Sequence, residues 1–314
     1  MRVGTLTLPL HVNYGAVLQT YALHKALENE GHHPVLLDIR SSIYKKNDLL
    51  SFLSFIKTSI SRFKKMETEY GNVDFESFID RNIGKTSKIR FGYQLNRHLD
   101  CDAYIVGSDQ VWRSEYALNI ELFYLNFVKN GQLKLSYAAS FGKSDWTYSA
   151  AQTNNCKKLI KYFDAVSVRE LSGKELVESK LGGVATHVLD PTMIIGVNKY
   201  NNLIESYSDK LYGSNDVFCY VLDLNVEKKK LISSYCTQQS LNEVICNKGK
   251  ADKDKISIEN WLQGIRDSKF VITDSFLSLK SWLFKKLSIS EYFSSELLLI
   301  NSSKWFSCFY IILF

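Results

Sequence analysis

The sequence predicts an α/β protein with two parallel, doubly wound sheets. Three observations carry that expectation. Apolar runs of strand length alternate with amphipathic helical segments, and a polar stretch over Asn198–Asn215 splits the alternation into two series. Residues able to do chemistry recur just after the strands, where open parallel sheets hold their ligands.

In the first series Val3–Leu8 reads as a strand, a helix runs from about Tyr14 to Glu30, and Pro34–Ile39 is the next strand. Leu18, Ala22 and Ala26 share one helical face with Leu23 and Leu27 beside them, and Gly31 stands where a C′ glycine ends a helix. Residues 41–100 interrupt the rhythm with Lys-rich and Phe-rich amphipathic pieces, read as helices decorating the first domain. Strands resume at Ala103–Val106, Leu133–Ala138, Ala165–Val168 and Ala185–Val188. The second series holds Val217–Leu222, a helix near Val226–Gln239, Glu243–Cys246, a helix over Ser257–Asp267 with Ser257 as N-cap, and Phe270–Thr273.

These patterns give a first domain over residues 1–196, a partial second domain over 197–276 and an atypical tail over 277–314. The tail has nine serines, no Gly, Pro or Asp, and neither helical nor strand periodicity. A shifted reading frame in an A/T-rich gene fits that composition, and so does a divergent C-terminal helix pair. Either way, the strand Phe270–Thr273 is expected to present an unpaired sheet edge and to lower solubility.

At 314 residues and 45% hydrophobic content the chain is globular, not disordered. Its 39 basic and 33 acidic side chains leave a formal +6 spread along the chain, which does not call for nucleic acid. A small positive excess suits phosphorylated substrates or an anionic membrane surface, or a solvated surface with no partner. Six scattered cysteines, without a C-x-x-C pair or a Cys/His cluster, predict reduced thiols and no metal. The N-terminus lacks a secretory pattern and no apolar run reaches the ~20 residues of a membrane helix, so a cytoplasmic protein without a span is expected.

Four segments stand at strand ends. Asn13-Tyr14-Gly15-Ala16 opens the first helix, whose N–H groups and dipole would favour an anion; a single glycine there is equally ordinary turn geometry, and G-x-G-x-x-G is absent. Gly107-Ser108-Asp109-Gln110-Val111-Trp112 brings a carboxylate, an amide and an indole to the end of Ala103–Val106. Alternatively Ser108 or Asp109 caps a following helix while Trp112 packs in the core. Ser140-Phe141-Gly142 and Ser167-Val168-Arg169-Glu170 follow the next two strands. Arg169 suits a bidentate clamp on phosphate or carboxylate, or else it pairs with Glu170 or a neighbouring acid.

In this order, and joined by Gln19 and Tyr21, by Ser136-Tyr137-Ala138-Ala139 ahead of Ser140, by Asp190-Pro191-Thr192 and by Thr273-Asp274-Ser275-Phe276, the segments resemble the polysaccharide pyruvyl transferase family over residues 1–276. The resemblance implies a GT-B-like fold of two Rossmann-like domains, the second truncated. It implies transfer of an enolpyruvyl group from phosphoenolpyruvate to a lipid-linked or polymeric glycan as a pyruvate ketal, in exopolysaccharide or cell-surface polysaccharide synthesis at the inner membrane face. Phosphoenolpyruvate is then the donor substrate, and no cofactor is expected. Arg169 and Asp109 become the catalytic candidates. Asn13, Tyr14, Gly15, Ser108, Gln110, Ser140, Phe141, Gly142, Asp274 and Ser275 become substrate-binding candidates.

The family pattern continues after Asp-Ser-Phe with His-Gly, whereas this chain reads Phe276-Leu277-Ser278. Leucine cannot donate a proton, and loss of a positioned general acid typically costs ~10²–10⁴ in rate. Impaired activity is therefore expected. His11, just before the Asn13 loop, is the best-placed substitute; His24, His32, His33, His98 and His187 read as structural residues on helix surfaces, turns or strand ends. Two other readings are a non-catalytic glycan- or partner-binding remnant and a GT-B glycosyltransferase, the latter disfavoured by the absence of a Glu-rich donor motif.

Overall fold

The computed structural model describes residues 1–10, 14–39, 75–89, 95, 100–117, 119–207, 212–221, 224–246, 256–273 and 310–313. His11, Asn13, Asp274, Ser275 and the expected helices within 41–74 lie outside that set. The described residues up to Ile195 form one compact unit and those from Gly196 onward another.

The first unit follows the predicted alternation. Strand β1 (Arg2–Leu6) leads to helix α1 (Tyr14–Asn29) and β2 (His33–Leu36). Helix α2 (Phe75–Asn82) precedes β3 (Ala103–Val106), and a 3₁₀ turn at Ile120–Tyr124 precedes β4 (Leu133–Ala139). Then come α3 (Ala150–Leu159), β5 (Ala165–Val168), α4 (Leu171–Leu176), the two-residue β6 (Thr186–His187) and a 3₁₀ turn at Pro191–Met193. The six strands are parallel in the order β2-β1-β3-β4-β5-β6. All four residues of β3 are buried, as a central strand covered on both faces requires. Phe78 of α2 meets Tyr21 of α1 edge-on, with ring centroids 5.8 Å apart, so this part of the insertion does cover the first unit.

Helix α1 buries Leu18, Ala22 and Leu23, and past its end Gly31 adopts φ +76°, the left-handed conformation that makes glycine the natural stop. His24 departs from its expected place on the helix surface. It is fully buried against β1, its Nε2 2.8 Å from the Thr5 hydroxyl. Burial, aided by Lys25, lowers its pKa to about 3, so the ring is neutral in the folded protein.

In the second unit α5 (Val197–Tyr207) is followed by β7 (Asp216–Tyr220), α6 (Val226–Gln238), β8 (Asn242–Ile245), α7 (Ile258–Asp267) and β9 (Phe270–Thr273). Ser257 does cap α7: its hydroxyl accepts from Asn260 N–H at 3.0 Å. Trp261, Leu262 and Ile265 are buried on that helix as the periodicity predicts. Strands β8, β7 and β9 are parallel neighbours, in the same local order as β2, β1 and β3.

The expected open edge at β9 is not found. Strand β10 (Tyr310–Leu313) pairs with it antiparallel, Tyr310 opposite Thr273 and Leu313 opposite Phe270. The apolar end of the tail thus completes the sheet as an antiparallel edge strand, and at these residues it is not part of a helix pair. Two successive parallel-sheet, Rossmann-like units place the chain in the GT-B-like α/β class.

Candidate active site

Open parallel sheets bind ligands outside the strands' carboxyl ends where strand order reverses, which in the first unit is between β1 and β3. The loops leaving β3 and β4 meet beside this point because two glycines let them. Gly107 has φ +132°, and a Cβ there would stand 2.1 Å from the Tyr137 carbonyl oxygen. Gly142 has φ +68°, and its Cβ would stand 2.2 Å from the Gln110 Oε1. A larger residue at Gly107 would have to move the backbone at Tyr137, and one at Gly142 would strain a left-handed backbone and displace the Gln110 side chain. Ser140 N–H donates to the Asp109 carbonyl at 3.2 Å and Trp112 N–H to the Ser140 carbonyl at 3.1 Å, locking the two loops together.

Of the two readings of the Gly107–Trp112 segment, the indole follows the core one. Trp112 stacks on Tyr124 at 5.1 Å and donates its Nε1 hydrogen to the Phe123 carbonyl at 3.0 Å. No helix follows directly, and the Asp109 carboxylate accepts from the adjacent Gln110 N–H at 2.7 Å. Phe141 lies 5.3 Å from Trp112 in the same buried aromatic cluster, so its side chain supports the loop from below. The Gln110 Oε1 accepts from Arg113 at 2.8 Å. Tyr14 and Gly15 form the first turn of α1, with Tyr14 buried edge-on to Phe75 at 5.2 Å.

Arg169 leaves β5 with a side chain only 10% exposed and joins the loops into one network. Its Nε donates to Glu170 Oε1 at 2.9 Å, and its Nη1 donates to Asp190 Oδ2 at 3.2 Å and to the Ser108 carbonyl at 3.3 Å. The same Glu170 oxygen accepts from the Ser140 hydroxyl at 2.8 Å, which in turn accepts from Gly142 N–H at 3.0 Å. Pairing with acids, left open as an alternative to the clamp, is therefore real. It does not use up the group, because Nη2 has no partner among the described residues. Burial alone would lower the Arg169 pKa, but Glu170 and Asp190 outweigh it and raise it, so the guanidinium stays charged.

Two groups beside Arg169 are chemically poised. The Ser108 hydroxyl is buried without a hydrogen-bond partner among the described residues. Asp109 has its pKa raised, chiefly by burial, against the Gln110 N–H and Arg169 and with help from Asp190 and Glu170. A cation with one free edge, an unpartnered hydroxyl and a carboxyl biased toward its neutral form together suit an anionic substrate that must be protonated.

Reasoning on single segments named Glu170 as a partner of Arg169 but did not identify Asp190 and Gln19. Asp190 is wholly buried; its Oδ2 also accepts from Gln19 at 2.5 Å, and its Oδ1 accepts from Thr192 N–H at 3.0 Å and the Thr192 hydroxyl at 2.7 Å. The signals were an Asp-Pro-Thr cap pattern and a Gln on the buried side of α1. His187, read as a structural residue, lies with its Nε2 3.0 Å from the Arg169 carbonyl. Among the described residues, no group of three or more His, Cys, Asp or Glu is suited to hold a metal, and no helix is long and apolar enough to cross a membrane. The described cysteines, at 101, 156, 219, 236 and 246, are buried and free of disulfides.

Among solved structures, an alpha-glucosyltransferase in complex with UDP is 9% identical, with a TM-score of 0.41 over 86% of this chain and 72% of that one. An alpha-glucosyltransferase in complex with UDP and a 13-mer DNA containing a central A:G mismatch is 10% identical, with a TM-score of 0.40 over 78% of this chain. The chain spans 55% of that protein's length. No curated protein matches the chain in sequence. The sequence profile described as Polysaccharide pyruvyl transferase matches residues 13–276, from the loop before α1 to just past β9, and so takes in every loop of the Arg169 network. The chain belongs to the polysaccharide pyruvyl transferase family, a family of transferases.

Proposed function

We propose that the chain transfers the enolpyruvyl group of phosphoenolpyruvate to two hydroxyls of a glycan acceptor, lipid-linked or polymeric, forming a pyruvate ketal and releasing phosphate, at a rate below that of a member with the histidine after Asp-Ser-Phe. One acceptor hydroxyl loses its proton as its oxygen bonds to C2 of the donor, while the donor's CH₂ carbon takes a proton and becomes methyl. The C2–O bond to phosphate then breaks, and the second hydroxyl closes the ketal with loss of its proton. The chemistry needs a cation on the phosphate or carboxylate, a proton source and a site that excludes bulk water.

The observation that carries this reading is the Nη2 edge of a buried, charged Arg169, without a partner among the described residues, in a guanidinium whose Nη1 donates to the Ser108 carbonyl. Arg169 is the clamp in this reading and Ser108 a hydrogen-bond donor to the same anion. Asp109, whose pKa burial raises and which feels the Arg169 charge, is the proton source in this reading. The leucine at 277 is the reason for a reduced rate.

The test incubates the purified chain with phosphoenolpyruvate and a pyruvylatable glycan and follows phosphate release and ketal formation. Slow, acceptor-dependent release is expected, lost in Arg169→Ala and reduced ~10²-fold or more in Asp109→Asn, the usual range for a general acid. Turnover equal to that of a histidine-bearing relative would refute the impairment. Acceptor binding with no phosphate release at all would favour a glycan-binding remnant.

A further inference from the structure

Arg169 is useful as an anion clamp only if its free edge points one way before the ligand arrives. We propose that Asp190 is the positioning residue of the site: it fixes the Arg169 guanidinium plane and, through Gln19, ties that plane to helix α1. This rests on the reading of Arg169 as the clamp.

Three features support it. First, the guanidinium is held at two of its three nitrogens, Nε by Glu170 at 2.9 Å and Nη1 by Asp190 at 3.2 Å. A planar fork held at two points has no rotational freedom left, so Nη2 faces a single direction. Second, Asp190 is itself immobilised. Its side chain is 0% exposed, and its other oxygen takes both the backbone N–H and the hydroxyl of Thr192, capping the 3₁₀ turn that Pro191 begins. Glu170 is the weaker anchor, since its side chain is 35% exposed.

Third, the Asp190 oxygen that holds Arg169 also accepts from Gln19, a residue 171 positions away and 5% exposed. Gln19 lies five residues, about 7.5 Å along the axis, into α1, whose N-terminal turn carries Tyr14 and Gly15. In this proposal the positive end of that helix is the second anion-attracting element of the site. One buried carboxylate thus holds both elements in register, and distortion at either end is transmitted to the other. A substrate then meets a preorganised pair, with no ordering required on binding.

The experiment compares wild type with Gln19→Leu, Asp190→Asn, Arg169→Ala and the Gln19→Leu/Arg169→Ala double variant. Phosphoenolpyruvate affinity is measured by calorimetry and folding by circular dichroism. Gln19→Leu, which touches neither the ligand nor Arg169, is expected to weaken binding ~10-fold, the scale of outer-shell losses. It is expected to have a smaller effect in the Arg169→Ala background, where only the tie to α1 is left to lose, a non-additivity that a general loss of stability would not produce. A ligand-free readout uses ¹⁵N-arginine NMR, with the Arg169 signal assigned from its loss in Arg169→Ala. Separate, slowly exchanging Nη signals are expected in wild type and a single averaged one in Gln19→Leu and Asp190→Asn. Unchanged Nη signals in folded variants would overturn the proposal, as would additive affinity losses. Failure of wild type to bind phosphoenolpyruvate, with the NMR change still present, would overturn the donor assignment and leave Asp190 as the positioning residue of a clamp for another anion.

Discussion

At the scale of single residues, burial decides what a group can do here. Asp109 and His24 are both pushed toward their neutral forms, one near the Arg169 charge, the other sealed between β1 and α1. Only the first feels the charges of Arg169, Asp190 and Glu170. For His24 the consequence is for stability. Its folded pKa, about 3, lies below the ordinary 6.5, so the unfolded chain binds the proton more tightly. The contribution is intact above about pH 6.5 and is lost as pH falls from there toward 3. Each unit in that window removes up to about 1.4 kcal/mol, hence about 2 kcal/mol between pH 7 and pH 5. His24→Gln should lose less stability than wild type over that interval in urea unfolding. Parallel losses in both proteins would mean that other groups carry the acid sensitivity. The histidine's position on α1 was plain from the sequence, but its burial was not. The periodicity marks Leu18, Ala22 and Leu23, while His24 is covered because it finds the Thr5 hydroxyl across the sheet, a partner 19 residues away.

At the scale of elements, strands and helices were legible wherever local pattern and burial agree. Ala103–Val106, Ala165–Val168 and Phe270–Thr273 are strands over the residues expected, and Ser257 caps the helix it was read to cap. Strand ends elsewhere shift by a residue or two, and Ala185–Val188 shrinks to two residues, because pairing with β5 extends no further. The site was legible as a set of loops but not as a network. Arg169 and Glu170 are neighbours in sequence, but Asp190 joins them only through the fold, and Gln19 reaches Asp190 from the far end of the sequence. Close packing between elements was equally hidden. Gly264 lies within α7, where alanine would normally gain about 1 kcal/mol of helix propensity. A Cβ there would stand 2.4 Å from Phe218, a wholly buried ring of β7 that also meets Tyr212 edge-on at 5.4 Å. The ring has nowhere to retreat, and overpacking of that kind costs about 1–3 kcal/mol. Gly264→Ala should therefore lower the melting temperature despite the better helix former. A rise would show that α7 can lift from β7 at little cost.

At the scale of the whole molecule, the two units repeat one device: a parallel sheet whose second strand lies outside the first and whose third lies on the other side. That repetition is why two alternating series in the sequence suffice to forecast the fold class. The closing of the second sheet was not forecast, because an antiparallel edge strand far along the chain is selected by the surface it covers rather than by its own periodicity. Tyr310–Leu313 covers all four residues of β9, whose N–H and C=O groups would otherwise template association between copies. Strand β9 is a severe case of an open edge, since Val271, Ile272 and Thr273 are buried and the strand reads Phe-Val-Ile-Thr, a high-propensity segment without charge. Deleting residues 310–314 should expose that edge without touching the Arg169 network, which lies wholly in the first unit. The shortened chain is expected to form larger particles by light scattering at concentrations where the full chain stays dispersed, with its affinity for phosphoenolpyruvate unchanged in the soluble fraction. Equal dispersity would show that β10 does not guard the edge, whereas loss of ligand affinity would show that the second sheet's closure is felt at the site.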